Sequence, residues 1–258
     1  MELSQIKRII KIATKTGKIM LQYGAETYRV EDTVKRMAES KGLKDVNVFV
    51  IPTGIMFSAE HEEDTITVLE RVNPEGIDLE SIARANDFSR QFTQSSLSIE
   101  ESELMLNELS NPPKFSKLIR VLASGMGGGF FVLLFNGTII EFVLAYFASA
   151  LTVYFTDAID SKHLNFFIRN IIGGFCSMLF SVIFVVIVRL FHIEASVNMV
   201  IIGPLMTLVP GVSLTNGIRD LISGELLAGS AKIMEALFIA IALAFGVGMV
   251  LQFSLKLL

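Results

Sequence analysis

The polar segment that follows Pro204 and Pro210 carries residue types that could bind or transport a small polar solute. Pro204, Pro210 and Gly211 interrupt the longest stretch without charged residues, 195–218. The polar side chains around its end include Thr215, Asn216, Arg219, Asp220 and Glu225. An arginine can hold a carboxylate, whereas an acidic group can take up a proton or bind an ammonium group. We therefore predict a solute pathway formed by Pro210, Gly211, Thr215, Asn216, Arg219 and Asp220.

A simpler structure fits the same residues. A proline kink could end a span here, with Arg219, Asp220 and Glu225 in an ordinary loop. A broken helix frees backbone groups, which a bilayer tolerates only where protein or a watery cavity covers them, and transporters use such breaks as binding sites. If protons are coupled, Asp220, Glu225 or Glu235 is expected to carry them, and Glu235 could instead pair with Lys232. Spacing leaves both interpretations open.

Enzymatic chemistry, metal binding and cofactors are not predicted. His61 precedes Glu62, Glu63 and Asp64 but lacks the second histidine of a helical zinc motif. The glycine-rich stretch 124–129 lacks the Lys-Ser/Thr of a phosphate loop, and small residues four apart favour close helix packing instead. We find no nucleophile, base and orienting group at identifiable spacing.

Charge divides the chain near residue 117. Residues 1–116 hold 14 Lys and Arg and 19 Asp and Glu, whereas residues 117–258 hold only 8 and 7. About 20 apolar residues in a helix cross the hydrocarbon core. The uncharged stretches therefore predict five transmembrane helices at approximately 117–137, 139–158, 168–189, 195–212 and 233–254.

Basic residues near the predicted span ends give the orientation. Those on the first side are Lys114, Lys117, Arg120, Lys162, Arg169, Arg219 and Lys232, against Arg189 and Lys256 on the other. Because positive charge is favoured inside, we predict a multi-pass protein of the cell (inner or plasma) membrane with a cytoplasmic N-terminus and an external C-terminus. The net charge of −4 argues against a nucleic-acid partner.

The first half predicts a small α+β domain, residues 1–111, ahead of an all-α membrane domain, 112–258. Apolar periodicity indicates helices over 3–23 and 26–41, ended by Gly24 and Gly42. Three β-branched runs predict strands at 46–51, 55–59 and 65–72, joined by short connections that favour an antiparallel sheet. Asp78 can cap a helix to Gln94, and 98–109 is a further helix.

Three motifs resemble the threonine/serine exporter family. They are Gly24-Ala25-Glu26-Thr27-Tyr28-Arg29-Val30-Glu31-Asp32, Pro52-Thr53-Gly54-Ile55, and Leu208-Val209-Pro210-Gly211 with Thr215-Asn216-Gly217-Ile218-Arg219-Asp220. The resemblance covers essentially the whole chain, in the same order. It implies proton-driven export of small metabolites, with threonine and serine the substrates of some members and succinate-like dicarboxylates those of two-subunit members.

The resemblance also implies partners and a motif in the soluble domain. Because the sequence lacks the second hydrophobic half of the long exporters, a separate small membrane subunit or a homo-oligomer is expected. The family motif singles out Glu26, Arg29 and Glu31, either as a helical salt bridge of Glu26 with Arg29 or as a docking or regulatory surface.

A different class of function remains possible. The chain could be a membrane-anchored scaffold or sensor whose cytoplasmic domain binds a partner. One span would suffice as an anchor, so five spans with a polar break favour transport.

Overall fold

The computed structural model describes residues 2–61, 64–94, 97–113, 115–160 and 165–254. Charged residues of the sequence analysis that lie outside these ranges are Glu62, Glu63, Lys114, Lys162 and Lys256. The chain divides into two compact units. The first unit combines Met1–Pro113 with Gly211–Met234, and the second combines Lys114–Pro210 with Glu235–Leu258. Whether 1–111 and 112–258 are separate domains stays a prediction.

The described residues of the N-terminal region form four helices and one sheet. The elements are α1 Leu3–Gln22, α2 Thr27–Ser40, β1 Lys44–Ile51, β2 Gly54–His61, β3 Asp64–Arg71, α3 Leu79–Gln94 and α4 Ile99–Leu109. The sheet is antiparallel in the order β1-β2-β3, which confirms the predicted hairpins. Its helices and strands enclose one apolar core that includes Ile10, Met20, Phe57 and Phe88.

Local signals account for the ends of these helices. Gly24 and Gly42 have φ of 91° and 87°, which glycine adopts without the Cβ clash of other residues. The Asp78 carboxylate accepts hydrogen bonds from the backbone N–H groups of Glu80 and Ser81, as a helix cap does. Ser98 and Glu101 form a capping box at the start of α4.

The remainder of the described chain is helical. The helices are α5 Lys117–Leu134, α6 Ile139–Asp160, α7 Phe166–Leu190, α8 Val197–Val200, α9 Ile202–Leu208, α10 Gly211–Ile222 and α11 Leu226–Ser254. Among the described residues, α5, α6, α7 and α11 are long and apolar enough to cross a membrane, and the broken pair of α8–α9 with α10 could be a fifth span. The cytoplasmic location of the N-terminal region stays a proposal.

The predicted fourth span is interrupted. Proline lacks the backbone N–H of a helix interior and disfavours helical geometry in the residue before it. Accordingly, Val209 adopts an extended conformation with φ −65° and ψ 130°, and a new helix begins at Gly211. The last helix starts at Leu226, seven residues before the approximate predicted start at 233.

Glycines set the close packing within the second unit. A Cβ on Gly128 would lie 1.9 Å from the Ser149 hydroxyl, and one on Gly203 would lie 2.7 Å from the Gly128 carbonyl. These contacts join α5 to α6 and α9. The glycine-rich stretch 124–129 therefore serves helix packing, as predicted from its spacing.

Candidate functional site

The helical hairpin of α10 and the start of α11 carries a buried ion pair. The Lys232 ammonium group lies 2.9 Å from Asp220 Oδ2, and their side chains are 10% and 0% exposed. Gly217 and Gly229 let the two helices approach, because a Cβ on Gly229 would lie 2.7 Å from the Gly217 carbonyl. A chain reversal at Gly224, φ 94°, connects the helices. The hairpin therefore presents a compensated charge pair to the rest of the first unit.

Residues 24–27, part of the first sequence motif, form hydrogen bonds with this pair. Thr27 N–H donates to Asp220 Oδ1 at 3.0 Å, and Lys232 donates to the Ala25 carbonyl at 3.1 Å. The Asn216 side-chain amide donates to the Gly24 carbonyl at 2.8 Å. We call these contacts, together with the Arg219–Glu26 pair, the 24–27 cluster. Two sequence motifs about 190 residues apart thus meet at one polar site.

Asp220 acts at the beginning of α2. The first N–H groups of a helix have no intrahelical acceptor, and the helix dipole favours negative charge beside them. The N-cap residue Glu26 makes no side-chain cap hydrogen bond, whereas Thr27, the first helical residue, donates to Asp220. The Asp220 carboxylate therefore caps the start of α2, in place of the N-cap residue Glu26.

Glu26 forms ion pairs with two arginines, one in its own motif and one on α10. Arg219 Nη1 lies 2.9 Å from Glu26 Oε1, and Arg29 Nε lies 3.5 Å from Glu26 Oε2. Burial opposes the charged form of Glu26, but hydrogen bonds from its own backbone N–H and from Arg219, with the positive charge of Arg29, hold the pKa of its carboxyl below the usual 4.5. The predicted helical salt bridge between Glu26 and Arg29 is thus present, and Glu26 also contacts Arg219 of α10. A docking or regulatory role for the motif stays a prediction.

The other predicted site residues lie at different places. Thr215 is exposed and its hydroxyl donates to the Gly211 carbonyl at 2.9 Å, next to Pro210. Burial, followed by the negative charge of Glu225, raises the pKa of the Glu31 carboxyl. Glu235 occupies an exposed position of α11 in the second unit. The roles assigned to these residues stay predictions.

Three charged residues were undervalued by sequence reasoning. Lys232 was considered only as a loop charge or a partner of Glu235. Asp157, at the end of the second predicted span, is mostly buried and lies 2.8 Å from Arg120. Glu141 is also buried, and it accepts hydrogen bonds from the backbone N–H groups of Thr138 and Ser196. The Thr-x-x-Glu spacing of residues 138–141 is the sequence pattern of a capping box and predicts the contact between Thr138 and Glu141.

Comparison with known proteins gives a consistent result. The family model for threonine/serine exporters, ThrE, matches residues 11–254. The threonine/serine exporter of Corynebacterium glutamicum is 22% identical over 97% of this chain and 52% of its own length. The probable succinate transporter subunit YjjP of Escherichia coli is 21% identical over 97% of this chain and 96% of its own.

The lengths of the relatives differ. The chain spans about half of the Corynebacterium protein and 45% of the probable threonine/serine exporter of Mycobacterium tuberculosis, which is 22% identical. It spans nearly all of the Escherichia coli subunit. No solved structure matches the chain.

Proposed function

This chain belongs to the threonine/serine exporter family, and from that premise we propose that it is the membrane subunit of an exporter of small polar metabolites. The family is one of multi-pass transporters rather than enzymes. The observation that carries the proposal is the buried Asp220–Lys232 pair on the hairpin behind the Pro210 break. A buried ion pair in apolar surroundings is costly and is expected where a solute or ion pathway needs it.

Proton coupling is part of the proposal, and the chemistry of the pair supports it. A proton on Asp220 would remove the charge that compensates Lys232 and leave a buried, unpaired ammonium group, which is strongly destabilising. The 24–27 cluster would then open, releasing the hairpin from α2. Glu225 and Glu235 are the other candidate proton carriers. We propose that opening and closing of the cluster accompanies the transport cycle.

Topology and partners are also part of the proposal. The positive-inside rule supports a cytoplasmic N-terminal region and an external C-terminus. One relative of the same length is described as a subunit, which supports either a second small membrane protein or a second copy of this chain as partner. The substrate is an amino acid such as threonine or serine, or a succinate-like dicarboxylate, following the names of the relatives.

Transport by reconstituted protein tests the proposal. Proteoliposomes loaded with threonine, serine or succinate should release at least one of them under an imposed proton gradient, with the chain alone or with a candidate second subunit. Dissipating the gradient should abolish the proton-driven component. If no solute moves in any combination, the chain is better explained as a scaffold or sensor whose N-terminal region binds a partner.

A single substitution tests the proposed pathway. Arg219→Gln should abolish transport at normal membrane levels, because it removes both the pathway cation and the contact to Glu26. Arg84→Gln is the matched control, since Arg84 lies on α3 outside the 24–27 cluster. Unchanged flux in Arg219→Gln would remove this residue from the pathway.

A further inference from the structure

A polar cleft of about 500 Å³ lies between α2 and α3, in the N-terminal part of the first unit. Small-molecule sites in proteins commonly have volumes of about 300–1,000 Å³. The buried side chains of Met37 and Ser89 lie at its base, whereas more exposed polar and charged side chains form its walls. We call this region the α2–α3 cleft. Its size fits a small ligand, and its side chains indicate the chemistry of that ligand.

Arginines dominate the charged residues of the cleft. Arg29 and Arg36 of α2 and Arg90 of α3 line it, and Asp32 is the acidic residue beside them in the described part of the chain. The guanidinium group presents N–H donors in a planar fork that matches the oxygens of a phosphate or carboxylate group. The cleft therefore favours an anionic ligand.

The three arginines are spread along and across the cleft. Arg29 and Arg36 are seven residues apart, so they lie on one face of α2, about 10.5 Å apart along its axis at ~1.5 Å per residue. Arg90 lines the opposite wall. The Lys41 ammonium group, at the end of α2, lies 4.5 Å from the ring centroid of Phe92, so the C-terminal ends of α2 and α3 are adjacent. Cations distributed in this way suit a chain of linked phosphate groups better than one isolated anion.

Each of these arginines keeps hydrogen-bond donors for a ligand. Arg29 contacts its neighbours through Nε, Arg90 through Nη2, and Arg36 through Nε and Nη2. A guanidinium group has five N–H donors, so each side chain has donors beyond those that its contacts with described residues use. The three side chains are 55%, 68% and 70% exposed, in the order Arg29, Arg90 and Arg36. Ion pairs this exposed are weak, and an anion with several charges can displace the present partners.

An aromatic ring and an amide group also line the cleft. Tyr28 is half-buried next to Arg29, and Asn86 lies on the α3 wall. An aromatic ring can stack on any nucleobase, because every base has a π face. The side-chain amide of Asn86 has donor and acceptor groups for the edge of a base. The cleft thus combines partners for phosphate groups with partners for a base.

We propose that the α2–α3 cleft binds a nucleoside di- or triphosphate, a class of ligand distinct from the exported solute. The phosphate groups bind the three arginines, and the base stacks on Tyr28 and forms hydrogen bonds with Asn86. A sugar phosphate lacks the base, and a nucleoside lacks the anionic groups, so either part alone leaves one set of side chains unused.

Arg29 connects the cleft to the 24–27 cluster. Its partner Glu26 contacts Arg219 through the other carboxylate oxygen. A phosphate group on Arg29 competes with Glu26 for the same guanidinium group and is repelled by its negative charge. Loss of the Glu26 charge should therefore tighten nucleotide binding. Occupancy of the cleft should in turn alter the 24–27 cluster and the rate of export, a step that rests on the proposed function.

Nucleotide binding to the full chain in nanodiscs tests the inference without a transport measurement. Radiolabelled ATP should bind, and unlabelled ADP and GTP should compete, whereas adenosine, which lacks phosphate groups, should not. Arg36→Gln and Arg90→Gln should each weaken ATP binding roughly tenfold, because each removes a charge-assisted contact. Tyr28→Leu should weaken it several-fold through loss of stacking, and Glu26→Gln should strengthen it several-fold.

A matched control separates binding from folding. Arg84 is on α3 but is not among the residues that line the cleft, so Arg84→Gln should leave ATP affinity within about twofold of that of the unchanged protein. Without nucleotide, the unfolding midpoints of Arg36→Gln and Arg90→Gln should match that of the unchanged protein, because both side chains are mostly exposed. Absence of ATP binding, equal weakening by Arg84→Gln, or competition by adenosine as strong as that by ADP would each overturn the assignment. Competition by tripolyphosphate as strong as that by ATP would reduce the site to one for phosphate anions and overturn the nucleoside assignment.

A transport assay tests the link to the 24–27 cluster. In proteoliposomes that export a solute, a non-hydrolysable ATP analogue on the side of the N-terminal region should change the rate of export, and Arg36→Gln should weaken that response. An unchanged rate at saturating analogue would overturn the link. ATP binding without export of any solute would support the cleft assignment and contradict the proposed function instead.

Discussion

The 24–27 cluster and the contact between α5 and α6 both contain a carboxylate paired with a basic side chain, but the two carboxylates differ in their other partners. Both oxygens of Asp220 have partners, Thr27 and Lys232, and the Lys232 ammonium group also contacts Ala25. Asp157 has one oxygen paired with Arg120 and one with no hydrogen-bond partner among the described residues. A buried carboxylate whose two oxygens are both bonded holds backbone segments together more firmly than one with a single bonded oxygen. The comparison indicates that the 24–27 cluster holds a defined conformation of the first unit.

The largest expected effect comes from breaking the satisfied pair. Lys232→Met leaves Asp220 buried without its cation and should destabilise the first unit by about 3–5 kcal/mol. Thermal unfolding in detergent, or protease resistance of the N-terminal region, measures the loss.

Restoring neutrality should recover part of that loss. The double variant Lys232→Met, Asp220→Asn removes both charges and should be more stable than Lys232→Met alone. If the single variant unfolds like the unchanged protein, the cluster does not hold the first unit, and the contrast with the α5–α6 contact fails.

The packing between α5 and α6 should tolerate little added volume. Gly128→Ala would place a methyl group 1.9 Å from the Ser149 hydroxyl and should cost about 1–3 kcal/mol. Gly127→Ala is the neighbouring control, because no atom lies within 4 Å of its added Cβ. Unfolding midpoints of the two variants compare directly, and equal midpoints would mean that α5 and α6 do not pack as closely as described.

The half-exposed contact in the cluster should matter less for stability. Arg219 is 56% exposed and Glu26 is 10% exposed, so solvent screens much of their attraction. A double-mutant cycle of Arg219→Gln and Glu26→Gln should give a coupling energy of about 1 kcal/mol or less. A coupling of several kcal/mol would place this pair with Asp220 and Lys232 as a main support of the cluster.

The smallest effect is expected from Glu31 and depends on pH. Because the folded protein raises the pKa of Glu31 above 4.5, the group favours folding at pH below 4.5 and loses that contribution as pH rises through its folded pKa. Glu31→Gln should therefore raise the unfolding temperature slightly at pH 7 and have little effect near pH 4. The exposed Glu39→Gln serves as control, and equal shifts at both pH values would contradict the assignment.

Much of the fold could be predicted from the sequence because helices, strands and turns depend on short sequence patterns. Apolar periodicity, the capping residue Asp78 and glycines at positive φ act within a few residues, and so does the disruption of the helix by Pro210. The order of helices and strands and the hairpin sheet followed from them.

The candidate sites were less predictable because their contacts join distant residues. Asp220 was recognised as polar and important, but its bond to Thr27 crosses 193 positions and its pairing with Lys232 depends on the hairpin. Asp157 follows an apolar stretch, and an acidic residue at such a position is usually exposed to solvent. Only the folded structure shows that one of its oxygens is buried and has no hydrogen-bond partner in the part of the chain that is described.

The bond between Thr27 and Asp220 has a consequence for biosynthesis. At about 5–20 residues per second, roughly 10–40 s pass between synthesis of the two residues. During that interval α2 begins without its carboxylate cap, and the Gly24 and Ala25 carbonyls lack the donors that later reach them. The N-terminal region of the nascent chain therefore completes its fold only after the hairpin has been made. A complete fold of the N-terminal region is therefore possible only once the segment after Pro210 has been synthesised.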